Sequence, residues 1–500
     1  MSPRRCLAGL LLALACAGCA AVGPDYARPV IEAPGTFSEA ATATAEAPNL
    51  EMAAWWRGFG DPVLDSLMER AARANLDLEQ ARARVVQARA ALRGARGGLW
   101  PTLEGSGAIT RSKESRNAVE GASYSSGKTS TLSQAGFDAS WELDLFGRAR
   151  RNVESAQASL EAGREDLHNA LLTLLGDVAD SYIGLRSSQS RLAIARANLE
   201  AQRQTVDVTR ARWRAGLVSW LDVARAESQR AATEADIPSL ESAVKQAMHR
   251  LAILLGQAPG TLTAELAPVR PLPEPGEALL ATGLPAQLLA RRPDLRASER
   301  RLAAASAEIG VATADLYPSF DLTLGLGLQS AGSKTLVSSA SRYWSIVPGV
   351  TLPIFSGGST LAAVEQKRAA YDEALAAYRA AFLTALEDVE NALASSSAQS
   401  ARRVSLTEAE RAAEESVSLA RERYAKGLVN FLDVLSAQDT LYAVQDSLDQ
   451  CRADQLTALV ALYKALGGGW AAESAAQAED GAAVGPRPAP RAEAAAAPGP

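Results

Sequence analysis

Chemistry is what this chain has least of. Its 500 residues include two histidines, His168 and His249, and four cysteines, Cys6, Cys16, Cys19 and Cys451. No cysteine pair accompanies either histidine, and both sit in Ala/Leu-rich stretches that read as helix surface or groove. No catalytic constellation emerges, so the chain is not expected to be an enzyme or to hold a metal or cofactor. Gly325-Leu326-Gly327 lacks the third glycine and the strand-to-helix setting of a dinucleotide loop. Aromatic residues make up 5% of the chain, too few to advertise a large globular core. A formal charge of −6 gives no basic footprint for nucleic acid. Ala, Leu, Arg, Glu and Gln dominate instead, the composition of long packed helices.

The N-terminus is dense in signals. Arg4 and Arg5 precede an apolar run, Cys6 to Ala17, of the length of a signal-peptide core. That run is short of the roughly 20 residues a transmembrane helix needs. Ala17 and Gly18 then precede Cys19, which resembles a bacterial lipobox with Cys16 where leucine is usual. The alternative is a plain secretory signal cut near Ala21. Processing at Cys19 would remove Cys6 and Cys16 and put lipid on Cys19. Cys451 would then have no partner for an intrachain disulfide. Losing Arg4 and Arg5 takes the charge from −6 to −8. Anchoring becomes stable once two or more acyl chains insert, at about 0.8 kcal/mol per buried methylene.

The chain repeats itself. Leu99-Trp100-Pro101-Thr102-Leu103 recurs as Leu316-Tyr317-Pro318-Ser319-Phe320. Leu171-Leu172-Thr173 and Asp177-Val178 recur as Phe382-Leu383-Thr384 and Asp388-Val389. Arg212-Trp213-Arg214-Ala215-Gly216-Leu217-Val218 recurs as Arg423-Tyr424-Ala425-Lys426-Gly427-Leu428-Val429, with Leu221-Asp222-Val223 and Leu432-Asp433-Val434 at the same offset. Each half reads helix, two strands, long helix, turn, helix. The helices are expected over about Pro62 to Gly98, Gly147 to Trp213, Leu221 to Gly256 and Ser359 to Tyr424. The two long ones contain no proline, and one of them would span roughly 100 Å at 1.5 Å per residue. Pro238 is expected to kink or divide its helix.

The strands alternate with a period of two. Ala135, Phe137, Ala139, Trp141, Leu143 and Leu145 interleave with Gln134, Gly136, Asp138, Ser140, Glu142 and Asp144. Phe320, Leu322, Leu324, Leu326 and Leu328 do the same with Asp321, Thr323, Gly325, Gly327 and Gln329. Alternation over about 10 residues fits a membrane strand with one face to lipid and one to water, and equally a half-buried soluble sheet. Trp100, Trp141, Tyr317, Tyr343 and Trp344 sit near strand ends, where aromatic girdles would lie. An open sheet cannot stay in hydrocarbon with its edge amides unsatisfied. The smallest bacterial barrels use about 8 strands, so a chain supplying four must share a barrel with copies of itself. Two copies or three would close it.

At this point the residues resemble a family, the TolC-like outer-membrane efflux proteins, in the lipoprotein branch that serves resistance–nodulation–division (RND) pumps. The blocks that carry it are Cys19 with Val22-Gly23-Pro24-Asp25-Tyr26 and Pro29; Trp55-Trp56 with Phe59, Asp61 and Pro62; Trp141 to Gly147; Leu289 to Leu295; Ala312 to Phe320; and Leu462 to Trp470. The resemblance implies a mostly α-helical fold carrying a membrane β-barrel portion. Its duplicated repeats would form a homotrimer sharing a twelve-stranded barrel on a long periplasmic helical barrel. It implies docking to a periplasmic adaptor and an inner-membrane RND transporter, and export of small molecules. Ala20, standing where inner-membrane lipoproteins usually carry Asp, favours the cell outer membrane.

The expected organisation is a signal peptide over 1–18, a lipidated extended segment over 19–61 and a first repeat over 62–285. The first repeat has strands near 101–112 and 132–146. A second repeat over 286–470 has strands near 318–330 and 342–355, and a disordered tail fills 471–500. Cys19 is the lipidation site. Asp433, Asp222 and Leu432 are candidates for a gate at the periplasmic entrance, because an acid becomes a ring of three in a trimer. A second acid often found in this family three residues after the gate acid is replaced by Ser436. The competing role for each Asp is to stabilise the start of its own helix. Arg214, Gly216, Lys426, Gly427 and Asn430 mark the turns expected to touch the adaptor. A duct for type I protein secretion and a non-conducting periplasmic structural lipoprotein are the alternative functions.

Overall fold

A computed structural model describes residues 21–31, 37–39, 52–113, 129–274 and 291–469. The proposed signal peptide, Cys19, Trp470 and the tail lie outside these. After a 3-10 helix at Met52–Phe59 come α1 (Pro62–Ala74), α2 (Leu76–Gly97), β1 (Thr102–Lys113), β2 (Thr129–Glu142), α3 (Arg148–Arg214) and α4 (Trp220–Leu254). A single helical turn α5 (Thr263–Leu266) precedes α6 (Pro293–Ala314), β3 (Ser319–Ser330), β4 (Arg342–Thr351), α7 (Ser359–Ala425) and α8 (Phe431–Ala465). The duplication is exact in the four longest helices. A constant shift of 211 residues carries both ends of α3 onto α7 and both ends of α4 onto α8.

Four expectations are corrected: β4, expected to about 355, ends at Thr351, two residues before Pro353, and three others differ for a local reason. The helix expected from Pro62 to Gly98 is two helices, broken at Asn75, whose backbone is extended (φ −65°, ψ 132°). Its Oδ1 accepts from the amides of Asp77 at 2.9 Å and Leu78 at 3.0 Å, which starts α2 afresh. β2 stops at Glu142, although the alternation continues through Leu145. Asp144 instead accepts from the amides of Ala149 at 3.2 Å and Arg150 at 2.9 Å, committing the chain to α3. Finally, Pro238 does not divide α4. Proline removes one ladder bond, and Glu234, whose carbonyl it orphans, is exposed to water on this stretch.

The chain forms two compact units. The first comprises the described residues of Met1–Phe37, Ala74–Ala170 and Leu284–Asp388. Its helices pack Val85 and Leu92 of α2 on Leu160 of α3, and Ala158 of α3 on Ala303 and Ala304 of α6. Alanines at that second contact let the helices approach closely. The Arg291-Arg292-Pro293-Asp294 block starts α6, with Pro293 in its first turn, where a missing N–H costs nothing. The nearly buried Arg292 guanidinium donates to Asp294 at 2.6 Å and to Asp388 of α7 at 2.9 Å.

The second unit comprises the described residues of Ser38–Arg73, Leu171–Gly283 and Val389–Pro500. Leu64, Leu67, Met68 and Ala71 of α1 are fully buried, as are Val178, Ala179 and Tyr182 of α3. Trp55 stacks on Tyr463 at 5.2 Å. Tyr182 donates to Asp61, and burial together with this bond pushes its hydroxyl up to about 12. The Trp55–Asp61 block singled out in the sequence therefore pins the start of α1 onto the long helices. Among the described residues, no helix is long and apolar enough to cross a membrane.

Candidate functional site

The four strands form one antiparallel sheet in the order β1-β2-β3-β4. Directly opposed residues share a face, so the register sorts the side chains without ambiguity. One row across the sheet is Gly105, Phe137, Leu326 and Trp344, and the row two residues along is Leu103, Ala139, Leu324 and Ile346. The row between them, on the other face, is Glu104, Asp138, Gly325 and Ser345. Over the middle of the sheet one face is thus apolar, giving way to Arg111, Lys113 and Arg342 toward one end, and the other carries carboxylates, hydroxyls and glycines, with Ala108, Leu132 and Val347 as apolar exceptions. On the polar face Ser106 Oγ donates to Asp138 at 3.2 Å. On the apolar face Phe137, Leu326, Trp344 and Ile346 are all exposed. Among the described residues, β1 and β4 each pair on one side only, and all twelve residues of β1 are exposed.

The segment that follows Cys19 is strapped to the base of this sheet. The Val22 amide donates to Phe146 O at 3.0 Å. A Cβ built on Gly147 (φ +86°) would lie 2.5 Å from that of Ala21. Gly23 has φ +92°, and a Cβ there would come within 2.4 Å of Gly310 Cα, so two glycines meet backbone to backbone. Arg151 clamps the strap by donating to Val22 O at 3.2 Å and to Asp25 at 2.7 Å. Tyr26 Oη then donates to Glu299 at 2.5 Å, and burial, followed by that bond, raises its pKa. Each residue of the Val22 to Tyr26 block except Pro24 thus has a structural task.

The two long helices end in the same way. Gly216 and Gly427 both have φ +72°, the left-handed conformation glycine adopts without strain. The Gly216 amide donates to Trp213 O at 2.8 Å and Leu217 N to Arg212 O at 2.9 Å. Gly427 and Leu428 repeat this to Tyr424 O at 3.0 Å and Arg423 O at 2.9 Å, which is the Schellman closure of a helix end. The returning helices start on the candidate gate acids. Asp222 accepts from Ser219 N at 3.2 Å and Ser219 Oγ at 3.0 Å. Asp433 accepts from Asn430 N at 3.0 Å, while its own amide donates to Asn430 Oδ1 at 3.2 Å. Arg214, Lys426, Asn430, Leu432 and Asp433 are exposed, and Asp222 is half-buried.

Sequence reasoning passed over the group that joins the turns. Arg212 lies over the Tyr424 ring at 4.5 Å and donates to Tyr424 O at 3.0 Å. Tyr424 packs with Phe431, Val434, Val206 and Ala226. Burial raises the Tyr424 pKa against the pull of the Arg212 charge, and Asp222 adds to the rise. Its signal was present in the sequence, as an Arg-aromatic pair at the same place in both repeats.

Comparison with known proteins agrees with this architecture. The family model described as outer membrane efflux protein matches residues 67–257 and 284–468. Nodulation protein T of Rhizobium leguminosarum bv. trifolii is 34% identical over 91% of this chain and 95% of its own length. The pyoverdine export outer membrane protein OpmQ of Pseudomonas putida is 37% identical over 84% of this chain and 89% of its own. The solved outer-membrane channel OprN superposes with a TM-score of 0.85 at 37% identity, covering 90% of this chain and 99% of that one. The chain belongs to the outer membrane efflux protein family.

Proposed function

We propose that this chain is a lipid-anchored subunit of a homotrimeric outer-membrane duct. The duct receives small molecules from a periplasmic adaptor and an inner-membrane RND transporter and releases them outside the cell. The observation that carries this reading is the sheet: four strands, one face apolar, one face wet, and both edges open. Unpaired amides cost several kcal/mol each in hydrocarbon, so the edge of β1 must find the β4 of another copy. Three copies give twelve strands, whose wet faces line one pore. The relatives named for export and for an outer-membrane channel support the same assignment.

The lipoprotein reading rests on Cys19 and on the strap behind it. Ala21, two residues on, lies against the junction where β2 passes into α3, so a lipid on Cys19 would enter the bilayer beside the barrel. At the opposite end of the long helices, Asp433 and Asp222, with Leu432, form the gate, and the turns bearing Arg214, Gly216, Lys426, Gly427 and Asn430 meet the adaptor. In each Asp the carboxylate holds the start of its own helix and still presents negative charge. A ring of such acids attracts cations and repels anions.

Planar-bilayer recording on the purified full chain tests the duct. Stepwise conductance is expected, enlarged when Asp222 and Asp433 are replaced by Ala. A stable trimer that never conducts, even with both acids removed, would mean a structural lipoprotein instead.

A further inference from the structure

We propose that the exposed Trp213–Trp220 pair is an interface with a second copy of this chain, closed by that copy's Arg423. The inference deepens the trimer reading and rests on it.

The two halves share a register of 211 residues through α3–α4 and α7–α8. Under that shift Trp213 corresponds to Tyr424, Trp220 to Phe431, Arg212 to Arg423 and Ala226 to Ala437. Both aromatic pairs are built alike. The rings of Trp213 and Trp220 are 4.9 Å apart, and those of Tyr424 and Phe431 are 5.6 Å apart. Their burial is opposite. Tyr424 and Phe431 are 8% and 2% exposed, whereas Trp213 and Trp220 are 40% and 53% exposed.

What covers the second pair is a surface of the first half. Arg212 lies over the Tyr424 ring and donates to its carbonyl, while Val206 and Ala226 pack beside it. That carbonyl is in the last turn of α7, where helix carbonyls carry partial negative charge. Within one chain, then, the covering surface of the first half meets the aromatic surface of the second. Left over are the aromatic surface of the first half and, from the covering surface of the second, the exposed Arg423 and the half-buried Ala437; Val417, the counterpart of Val206, is already buried within the chain. Two such unlike, complementary surfaces repeat head to tail and close a ring when the rotation allows. Arg423 of the next copy therefore takes on Trp213 the place Arg212 takes on Tyr424, over the ring and donating to Trp213 O. Tryptophan presents the better face for a cation.

The test is proximity in the full chain in outer membranes. A Trp213→Cys, Arg423→Cys double variant treated with a short bis-maleimide should give dimer- and trimer-mass species, and neither single variant should. Cys451 is fully buried and stays out of the reaction. A double variant that runs as a trimer on native gels but does not cross-link overturns the inference and leaves the trimer standing. A parent chain that is monomeric overturns both. If the double variant fails to assemble, Arg423→Ala decides. It should lower the temperature at which the trimer dissociates in SDS, with Arg423→Lys partly restoring it, and a trimer as heat-resistant as the parent overturns the pairing.

Discussion

Asp449 of α8 is 5% exposed, with Ser187 Oγ donating to it at 2.9 Å. Burial pushes its carboxyl above the ordinary 3.8, and hydrogen bonds with Ser190 and Ser187 pull the other way without restoring it. The folded chain therefore keeps this proton to higher pH than the unfolded chain. Where the native state binds more protons, stability falls as pH rises. Asp449's contribution is complete below about 3.8 and is lost as pH climbs through the raised folded value. Asparagine still accepts from Ser187 and never ionises. Thermal melts of Asp449→Asn in detergent should run above the parent at pH 7 and approach it as pH falls below about 3.8. A gap independent of pH would contradict the assignment. At this scale the sequence was only partly legible. The acids at the two turns were readable because Asp follows each glycine by six residues, and the structure places each at the start of a helix. Asp449 was invisible, since a lone acid on a helix gives no sign of which face is packed.

At the scale of elements, the sheet stands on its face segregation. Leu326 sits mid-strand between Phe137 and Trp344 on the apolar face. Arginine there would meet hydrocarbon at a cost of about 2–4 kcal/mol if the position lies near the bilayer midplane. Leu326→Arg should therefore reduce the fraction of heat-modifiable trimer in outer membranes, while Thr323→Ser, on the wet face, should leave that fraction close to the parent's. Equal effects would argue against a lipid-facing row. The alternation was legible in the sequence because side chains of a strand have a period of two, and the two longest helices were legible from uninterrupted helical spacing without proline. Their ends were harder to read. Asn75 and Asp144 act through side-chain bonds to the backbone, and the apolar pattern runs on past Glu142 regardless. The strap was legible only as a block of letters. The contact of Gly23 with Gly310, far apart in sequence, gives it meaning.

For the whole molecule, the barrel and the proposed lipid on Cys19 would divide the work of attachment unequally. Acyl chains would hold by burial of methylenes, whereas barrel strands hold by closing every amide. Cys19→Ala should weaken sorting and fractionation with the outer membrane while leaving detergent-extracted trimers intact on native gels. Loss of the trimer itself would mean that the anchor is needed for assembly. The register of 211 residues is kept without net insertion from the start of α3 to the end of α4 and through their counterparts. Neither half could lengthen alone without consequence. A residue gained in one long helix turns everything beyond it by about 100° and lifts its tip out of line with the other. Side chains on the two halves have diverged widely, tryptophan facing tyrosine and serine facing asparagine. The length of the staves has not, because a stave of unequal length would turn its own tip away from the other.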